Sequence, residues 1–480
     1  LQFSIIVVSL QKYLSMYKLR DYQSDSVAKG LELLNSDKSR RELLVLPTGA
    51  GKSIVIAEIV KQLNEPVVIL QPSKELLEQN YKKFIDVGGE ATIYSASAGV
   101  KEISKVTFAT IGSIKKAVNE LKRLKVKKLI IDEAHIGVKS GSQLRSFLKD
   151  LGINNTLGLT ATPFILASSM SGAELKMLTK VKGKLFTDIA YVHQIGSMVT
   201  GSHWTPLEYR IVEQDDTFLK VNSSGSDYTE DSMKSFYQNN DLQSQVVDNV
   251  EHCLYEGSKS ILVFVPSIAE AEILSNKIKG SRYVSSLSSK KERDEIIEGF
   301  KNGDIKVVIN VGILTTGFDY PELETIILAR STMSFALYYQ MIGRGVRIHD
   351  NKTKTVVIDL SENYKRFGRV EDFTVEFIKG YGWGLFNGEF LISNYPIEAK
   401  NRPRKSNLEK KYNPNIAKTV GVTVSGVGTT RLTFGKYKDH TLNAILAKDK
   451  GYLVWIMENF TFRPNQNWLK KEIATLLNIS

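Results

Sequence analysis

Short apolar runs separated by amphipathic stretches give the chain its pattern. Residues 42–47 (ELLVLP), 66–72 (PVVILQP), 105–110 (KVTFAT), 128–135 (KLIIDEAH) and 156–163 (TLGLTATP) are rich in Val, Ile and Leu and end on turn residues. Continuous runs of this length predict strands buried on both faces. Between the first two, residues 51–64 place Ile56, Ile59, Val60 and Leu63 on one helical face. Strands alternating with helices predict βαβ units and a parallel sheet. The pattern then restarts, with strands expected at 259–267, 306–312, 324–330 and 354–360 and helices at 268–279 and 290–303. The polar stretch 223–232 (SSGSDYTEDS) reads as a loop. The expectation is an α/β protein with two tandem parallel-sheet domains, 16–205 and 206–367, a basic linker or accessory segment at 368–431, and a small C-terminal module at 432–480.

Composition adds a partner class. At 480 residues the chain has room for about three domains, and 42% hydrophobic with 24% charged residues is ordinary globular composition. The net charge of +12 suits a polyanion, either nucleic acid or an anionic membrane surface, and equally a solvated lysine-rich face. Ten Lys or Arg against two acids in residues 400–440 carry much of that excess, with 400–412 (KNRPRKSNLEKKY) the strongest candidate for a DNA-attracting linker. Cys253 is the only cysteine, which excludes an intrachain disulfide and a cysteine-based zinc cluster. The apolar run at 3–10 is too short to cross a bilayer and lacks signal-peptide flanks. The sequence begins at Leu1, and Met16 directly precedes YKLRDYQ, so residues 1–15 are expected to be a mis-assigned or vector-derived start, and the protein cytoplasmic.

The chemistry concentrates in LPTGAGKS, Leu46 to Ser53. A strand running into a Gly-rich loop and then a helix is a phosphate cradle. Thr48, Gly49, Ala50 and Gly51 would turn backbone N–H groups toward phosphate oxygens, Lys52 would supply positive charge, and Ser53 would offer a hydroxyl to Mg²⁺. Leu46 occupies the position where a glycine would complete the usual pattern. Asp132 and Glu133 end a buried strand, where ligands of parallel sheets bind. Asp132 is the expected metal carboxylate, and Glu133 the group that orients and deprotonates an attacking water.

DEAH at 132–135, TATP at 160–163 and QMIGRGVR at 340–347, in that order behind GAGKS, resemble superfamily 2 helicases and translocases. LTTGFDYPELETIILAR (314–330) and YQMIGRGVRI (339–348) carry a further resemblance to RadD-like repair helicases and phage branch-migration helicases. The resemblance implies two tandem RecA-like domains that use ATP and Mg²⁺, with Gln23 reading adenine. It implies that His135, Thr160 and Thr162 couple the nucleotide site to a DNA groove, and that Gly317 and Asp319 meet ATP at the seam between domains. Gln340, Arg344 and Arg347 would face the phosphates, Arg347 as the arginine finger. Ser73, Thr110, Ser113 and Thr315 would contact the nucleic-acid backbone, although each residue also suits an ordinary turn or helix cap. DNA, branched or duplex, is the implied partner with RNA as the alternative, and recombination or replication proteins are possible companions. The setting would be repair, recombination or phage replication in a bacterial nucleoid or phage-infected cytoplasm. A motor subunit of a restriction or defence complex is a further alternative.

The lone cysteine departs from the Cys-rich tail of RadD-like proteins. In its place, 432–460 resembles a small module at the ends of some exonucleases, with Asp439 where that module has Gly. Phe434, Tyr437, Tyr452 and Trp455 could stack on bases and Lys436 and Lys438 could meet phosphates. For Tyr452 and Trp455, on an apolar helix, a place in the module's own core is the expected outcome.

Overall fold

A computed structural model describes residues 18–139, 141–169, 172–223, 227–315, 318–397, 399, 401–412, 432, 435–438, 440–459 and 467–477. The chain forms two compact units, Leu1–Leu408 and Glu409–Ser480. Residues 1–17 and 413–431 lie outside the described residues.

The first unit holds two parallel sheets. Strands β1 (Arg41–Val45), β2 (Val67–Gln71), β3 (Thr92–Ser95), β4 (Val100–Lys101), β5 (Val106–Thr110), β6 (Lys128–Ile131) and β7 (Asn155–Thr160) are followed by an antiparallel hairpin, β8 (Phe164–Ser169) and β9 (Gly172–Met177), and by β10 (Asp188–Val192). The first sheet has the order β10-β1-β7-β6-β2-β5-β3-β4, parallel except for the β3–β4 edge. All five residues of β2 are buried, as its unbroken apolar run requires. Because β1, β7 and β6 are adjacent and parallel, GAGKS, TATP and DEAH emerge at the same end of the sheet.

The second sheet contains β11 (Leu207–Ile211), β12 (Ile261–Phe264), β13 (Arg282–Val284), β14 (Val307–Asn310), β15 (Thr325–Leu328) and β16 (Thr355–Asp359), in the all-parallel order β11-β16-β15-β12-β14-β13. Serine starts its helices: the hydroxyls of Ser267, Ser289 and Ser334 accept N–H bonds from Glu270, Glu292 and Leu337. The polar stretch expected as a loop gives way to a helix at Glu230–Asn239, capped by Thr229, because Met233, Phe236 and Tyr237 supply a buried face that 223–232 does not contain.

A three-stranded antiparallel sheet, β17 (Phe373–Ile378), β18 (Gly382–Asn387) and β19 (Phe390–Leu391), lies within the segment read as linker or accessory. It touches both larger sheets' surroundings. Gln194 exchanges two hydrogen bonds with the Val375 backbone, at 2.8 and 3.0 Å. On the other side the Phe373 ring lies 4.2 Å from Phe335, in the helix Phe335–Ile342.

The second unit is built on helices Leu442–Asn459, kinked at Asp449, and Asn467–Leu477, around Leu432, Tyr437, Leu442, Ile445, Leu453, Ile456, Leu469 and Ile473. Gly435 has φ +75°, and a Cβ there would lie 2.1 Å from the Tyr452 hydroxyl. That hydroxyl accepts the Lys436 N–H at 2.9 Å, so Tyr452 serves the module's own turn. Tyr437 is buried, but Trp455, expected inside, is 52% exposed. Phe434 and Asp439 lie outside the described residues. Among the described residues, no helix is long and apolar enough to cross a membrane.

Candidate active site

The loop between β1 and the helix Lys52–Gln62 turns at Gly49 and Gly51, with φ of +78° and +82°. Leu46 needs no such freedom. It is fully buried and its N–H donates to the Thr160 carbonyl at 3.0 Å, so it continues the strand and fills the core. Gln23 sits behind the loop, its amide donating to the Ala50 carbonyl at 2.9 Å, while its own carbonyl oxygen accepts the Arg20 N–H. The cleft beside the loop is lined by Arg20 and His203, and Gln23 is not on its wall. The Thr48 peptide is gripped from both ends. Trp204 Nε1 donates to its carbonyl at 2.9 Å, and its N–H donates to the Tyr339 hydroxyl at 3.0 Å.

Lys52 Nζ lies 3.2 Å from Glu133 Oε1. Asp132 and Glu133 are both removed from water. Burial, with Glu133 beside it, pushes the Asp132 carboxyl up to about 6. Burial acts on Glu133 in the same direction, but the charges of Lys52 and His135 outweigh it and hold that carboxyl below its ordinary value. Glu133 has φ +45°, a left-handed conformation that costs a side-chain-bearing residue about 1–2 kcal/mol. Its N–H donates to Asp132 Oδ1 at 2.9 Å, which helps hold the turn.

Asn80, which the sequence did not single out, joins the two expected metal ligands. Ser53 Oγ donates to Asn80 Oδ1 at 2.6 Å, and Asn80 Nδ2 donates to Asp132 Oδ2 at 2.8 Å. The helix Lys74–Asp86 brings it there, and Leu76, Gln79, Asn80 and Lys83 of that helix line the cleft. Their spacing marks one helical face, but nothing in the sequence says that this face meets the phosphate loop. A hydroxyl and a carboxylate held together by an amide form a hard-oxygen donor set that fits Mg²⁺.

The second sheet supplies the opposite wall. Gln340, Arg344 and Arg347 line the same cleft, whose volume is about 320 Å³. Arg344 donates to the Phe318 carbonyl at 2.6 Å, and burial and then Arg347 bring its pKa down to about 10. Arg347 pairs with Asp319. Gly317 lies outside the described residues.

His135 Nδ1 is 3.0 Å from Thr160 Oγ1 and 3.4 Å from Glu133 Oε2, so the TATP motif reaches the acids through one imidazole. Thr160 Oγ1 also accepts the Thr162 N–H at 3.0 Å, and the Thr162 hydroxyl is buried with no partner among the described residues. The four candidates for nucleic-acid contact make internal bonds. Ser73 caps the helix Lys74–Asp86, Thr110 donates to Ser113, Ser113 accepts the Ala96 N–H, and Thr315 donates to the Gly312 carbonyl.

Three family models match the chain: "Type III restriction enzyme, res subunit" over residues 16–165, "Helicase conserved C-terminal domain" over 245–349, and "Exodeoxyribonuclease X-like C-terminal" over 432–461. The first two matches make the chain similar to helicases, with a res-subunit match on the first sheet and a helicase C-terminal match on the second. It is 28% identical over 366 residues to "Putative ATP-dependent helicase IRC3" of Saccharomyces cerevisiae, covering 71% of this chain and 51% of that protein. It is 29% identical over 333 residues to a "51.5 kDa protein" of a Lactococcus phage, covering 67% and 66%. In fold it is similar to the "ATP-dependent Type ISP restriction-modification enzyme LlaBIII bound to DNA", with a TM-score of 0.55 and 18% identity over 72% of this chain and 28% of that one. The chain thus spans about half the length of the yeast relative.

Completing the phosphate-loop pattern is expected to do harm. Leu46→Gly would leave a cavity in a filled core and is expected to cost about 3–5 kcal/mol. A melting temperature equal to wild type would contradict that account of Leu46.

Proposed function

We propose that the chain is an ATP-driven motor that moves on or remodels DNA, in particular branched DNA, with Mg²⁺ as its cofactor. One observation carries this reading: Lys52, Asp132 and Glu133 from one sheet and Gln340, Arg344 and Arg347 from the other line a single cleft. The loop amides and Lys52 bind the phosphates, with Lys52 leaving Glu133 to do so. Glu133, freed from Lys52 and held low in pKa, orients the attacking water and accepts its proton. Ser53 and Asp132, joined through Asn80, would hold Mg²⁺, which when bound neutralises phosphate charge. Arg347 would exchange Asp319 for the terminal phosphate as the finger. Such a group is worth about 10³–10⁵ in rate in GTPases, or roughly 4–7 kcal/mol. Gln23 would read adenine by exchanging the Ala50 carbonyl for the base, and Asp319 would meet ATP at the seam between the sheets, releasing Arg347. Thr160, Thr162 and His135 would relay the state of the acids toward a groove bordered by Ser73, Thr110, Ser113 and Thr315.

DNA is favoured over RNA by the exonuclease-type module and the restriction-subunit match. The same restriction match supports a second reading, a motor subunit of a restriction or defence complex, which would require a nuclease partner recoverable by pull-down. Repair, recombination or phage replication in a bacterial or phage-infected cytoplasm is the proposed setting, with recombination or replication proteins as companions. The deciding experiment measures ATP turnover and strand separation on forks, junctions, duplex, single strands and RNA. Turnover stimulated most by branched DNA is expected; no stimulation by any polynucleotide would end the proposal. Glu133→Gln should abolish turnover while retaining ATP binding.

Asn80→Ala should raise the Mg²⁺ concentration for half-maximal turnover by about 10–100-fold, the usual cost of losing a group that orients metal ligands. An unchanged Mg²⁺ titration would count against the Ser53–Asn80–Asp132 bridge. A chain ending at Leu408, the boundary of the first unit, should keep Mg-ATP binding and bind branched DNA more weakly at about 150 mM salt. Equal DNA affinity would assign the module another role.

A further inference from the structure

We propose that Lys83 is a phosphate-binding residue of the cleft, a second lysine from the first sheet's domain that meets the terminal phosphate of a bound nucleoside triphosphate. The inference rests on the nucleotide reading above and adds to it a group outside the loop, the DEAH acids and the arginine motif.

Position is the first argument. Lys83 lines the cleft from the helix Lys74–Asp86, one turn beyond Asn80. Asn80 is tied to both Ser53 and Asp132, so this face of the helix is pinned against the loop. The Lys83 ammonium interacts electrostatically with Asp132 of the first sheet and with Arg347 and Asp319 of the second. A cation that lines the cleft within electrostatic reach of both Asp132 and Arg347 is suited to the terminal phosphate that those two residues would share.

Charge pairing is the second argument. The other cations of the cleft have partners: Lys52 has Glu133, Arg347 has Asp319, Arg344 has the Phe318 and Gln340 carbonyls, and Arg20 donates to the Tyr22 hydroxyl. Among the described residues Lys83 has no hydrogen-bond or ion-pair partner. A partly buried ammonium with no direct ion-pair partner is costly, and Arg347 nearby adds repulsion that the pull of Asp319 and Asp132 does not cancel. An anion entering the cleft relieves both. Lysine suits this task as a flexible point charge that needs no fixed bidentate geometry.

A contact with the terminal phosphate disappears on hydrolysis, so Lys83 separates triphosphate from diphosphate states. The test measures equilibrium binding of Mg²⁺ with a non-hydrolysable ATP analogue, and of Mg²⁺ with ADP, to the full chain and to Lys83→Gln and Lys83→Arg. Lys83→Gln should weaken the analogue about tenfold, as expected for one charge-assisted hydrogen bond, and change ADP by less than about twofold. Lys83→Arg should recover part of the loss. Equal losses for both nucleotides, or none for either, would overturn the assignment while leaving the nucleotide site intact. A wild-type chain that binds neither nucleotide would remove the site and the assignment together. Matching melting curves for the three proteins exclude a folding effect.

Discussion

Two adjacent carboxylates withdrawn from water impose the constraint on which the site depends. Left alone, burial would drive both toward the neutral acid. Asp132 goes that way, whereas Glu133 is kept ionised by Lys52 and His135. The pair therefore has two characters, one carboxyl whose charge burial makes costly and one whose charge is already balanced by Lys52 and His135. Separating the two values is what lets neighbouring acids take different tasks. At this turn, where Glu133 takes a left-handed backbone, the two carboxylates have different partners: Glu133 pairs with Lys52, whereas Asp132 accepts from Asn80.

The phosphate loop is held by parts far apart in the chain. Gln23 and Tyr22 hold the Ala50 carbonyl, Trp204 and Tyr339 hold the Thr48 peptide, and Leu46 anchors the entry to β7. Trp204 precedes Thr205, whose hydroxyl donates to the Arg347 carbonyl at 2.6 Å. The connection between the two sheets is thus bonded to the loop on one side and to the Arg347 backbone on the other. A shift of either sheet must be felt at both. The small antiparallel sheet adds a second tie, through Gln194 and Phe335.

In this arrangement Arg347 is engaged by Asp319, Lys52 by Glu133, and Arg344 by carbonyls. Each bond is one that a triphosphate can replace. Charge repulsion involving Lys52 and Arg347 is relieved by internal acids, so under the proposed reading nucleotide entry is an exchange of partners for these two residues.

The sequence by itself determined the two parallel sheets and the residues that meet between them. Short apolar runs bounded by turn residues and alternating with amphipathic stretches fit the buried central strands, although not the edge strands β10, β11 and β13, and Gly49, Lys52, Asp132, Glu133, Arg344 and Arg347 sit at strand or helix ends where parallel sheets gather ligands. It could not show Asn80, Lys83, Trp204 or Tyr339 in the site, because an Asn, a Lys or an aromatic on a helix has the same local pattern whether it faces solvent, core or phosphate. Nor could it show the helix beginning at Glu230 within a polar stretch, the three-stranded sheet after residue 368, or the exposure of Trp455. Those features depend on which faces meet once the chain is folded. Periodicity records that a face exists, and only packing decides what lies against it.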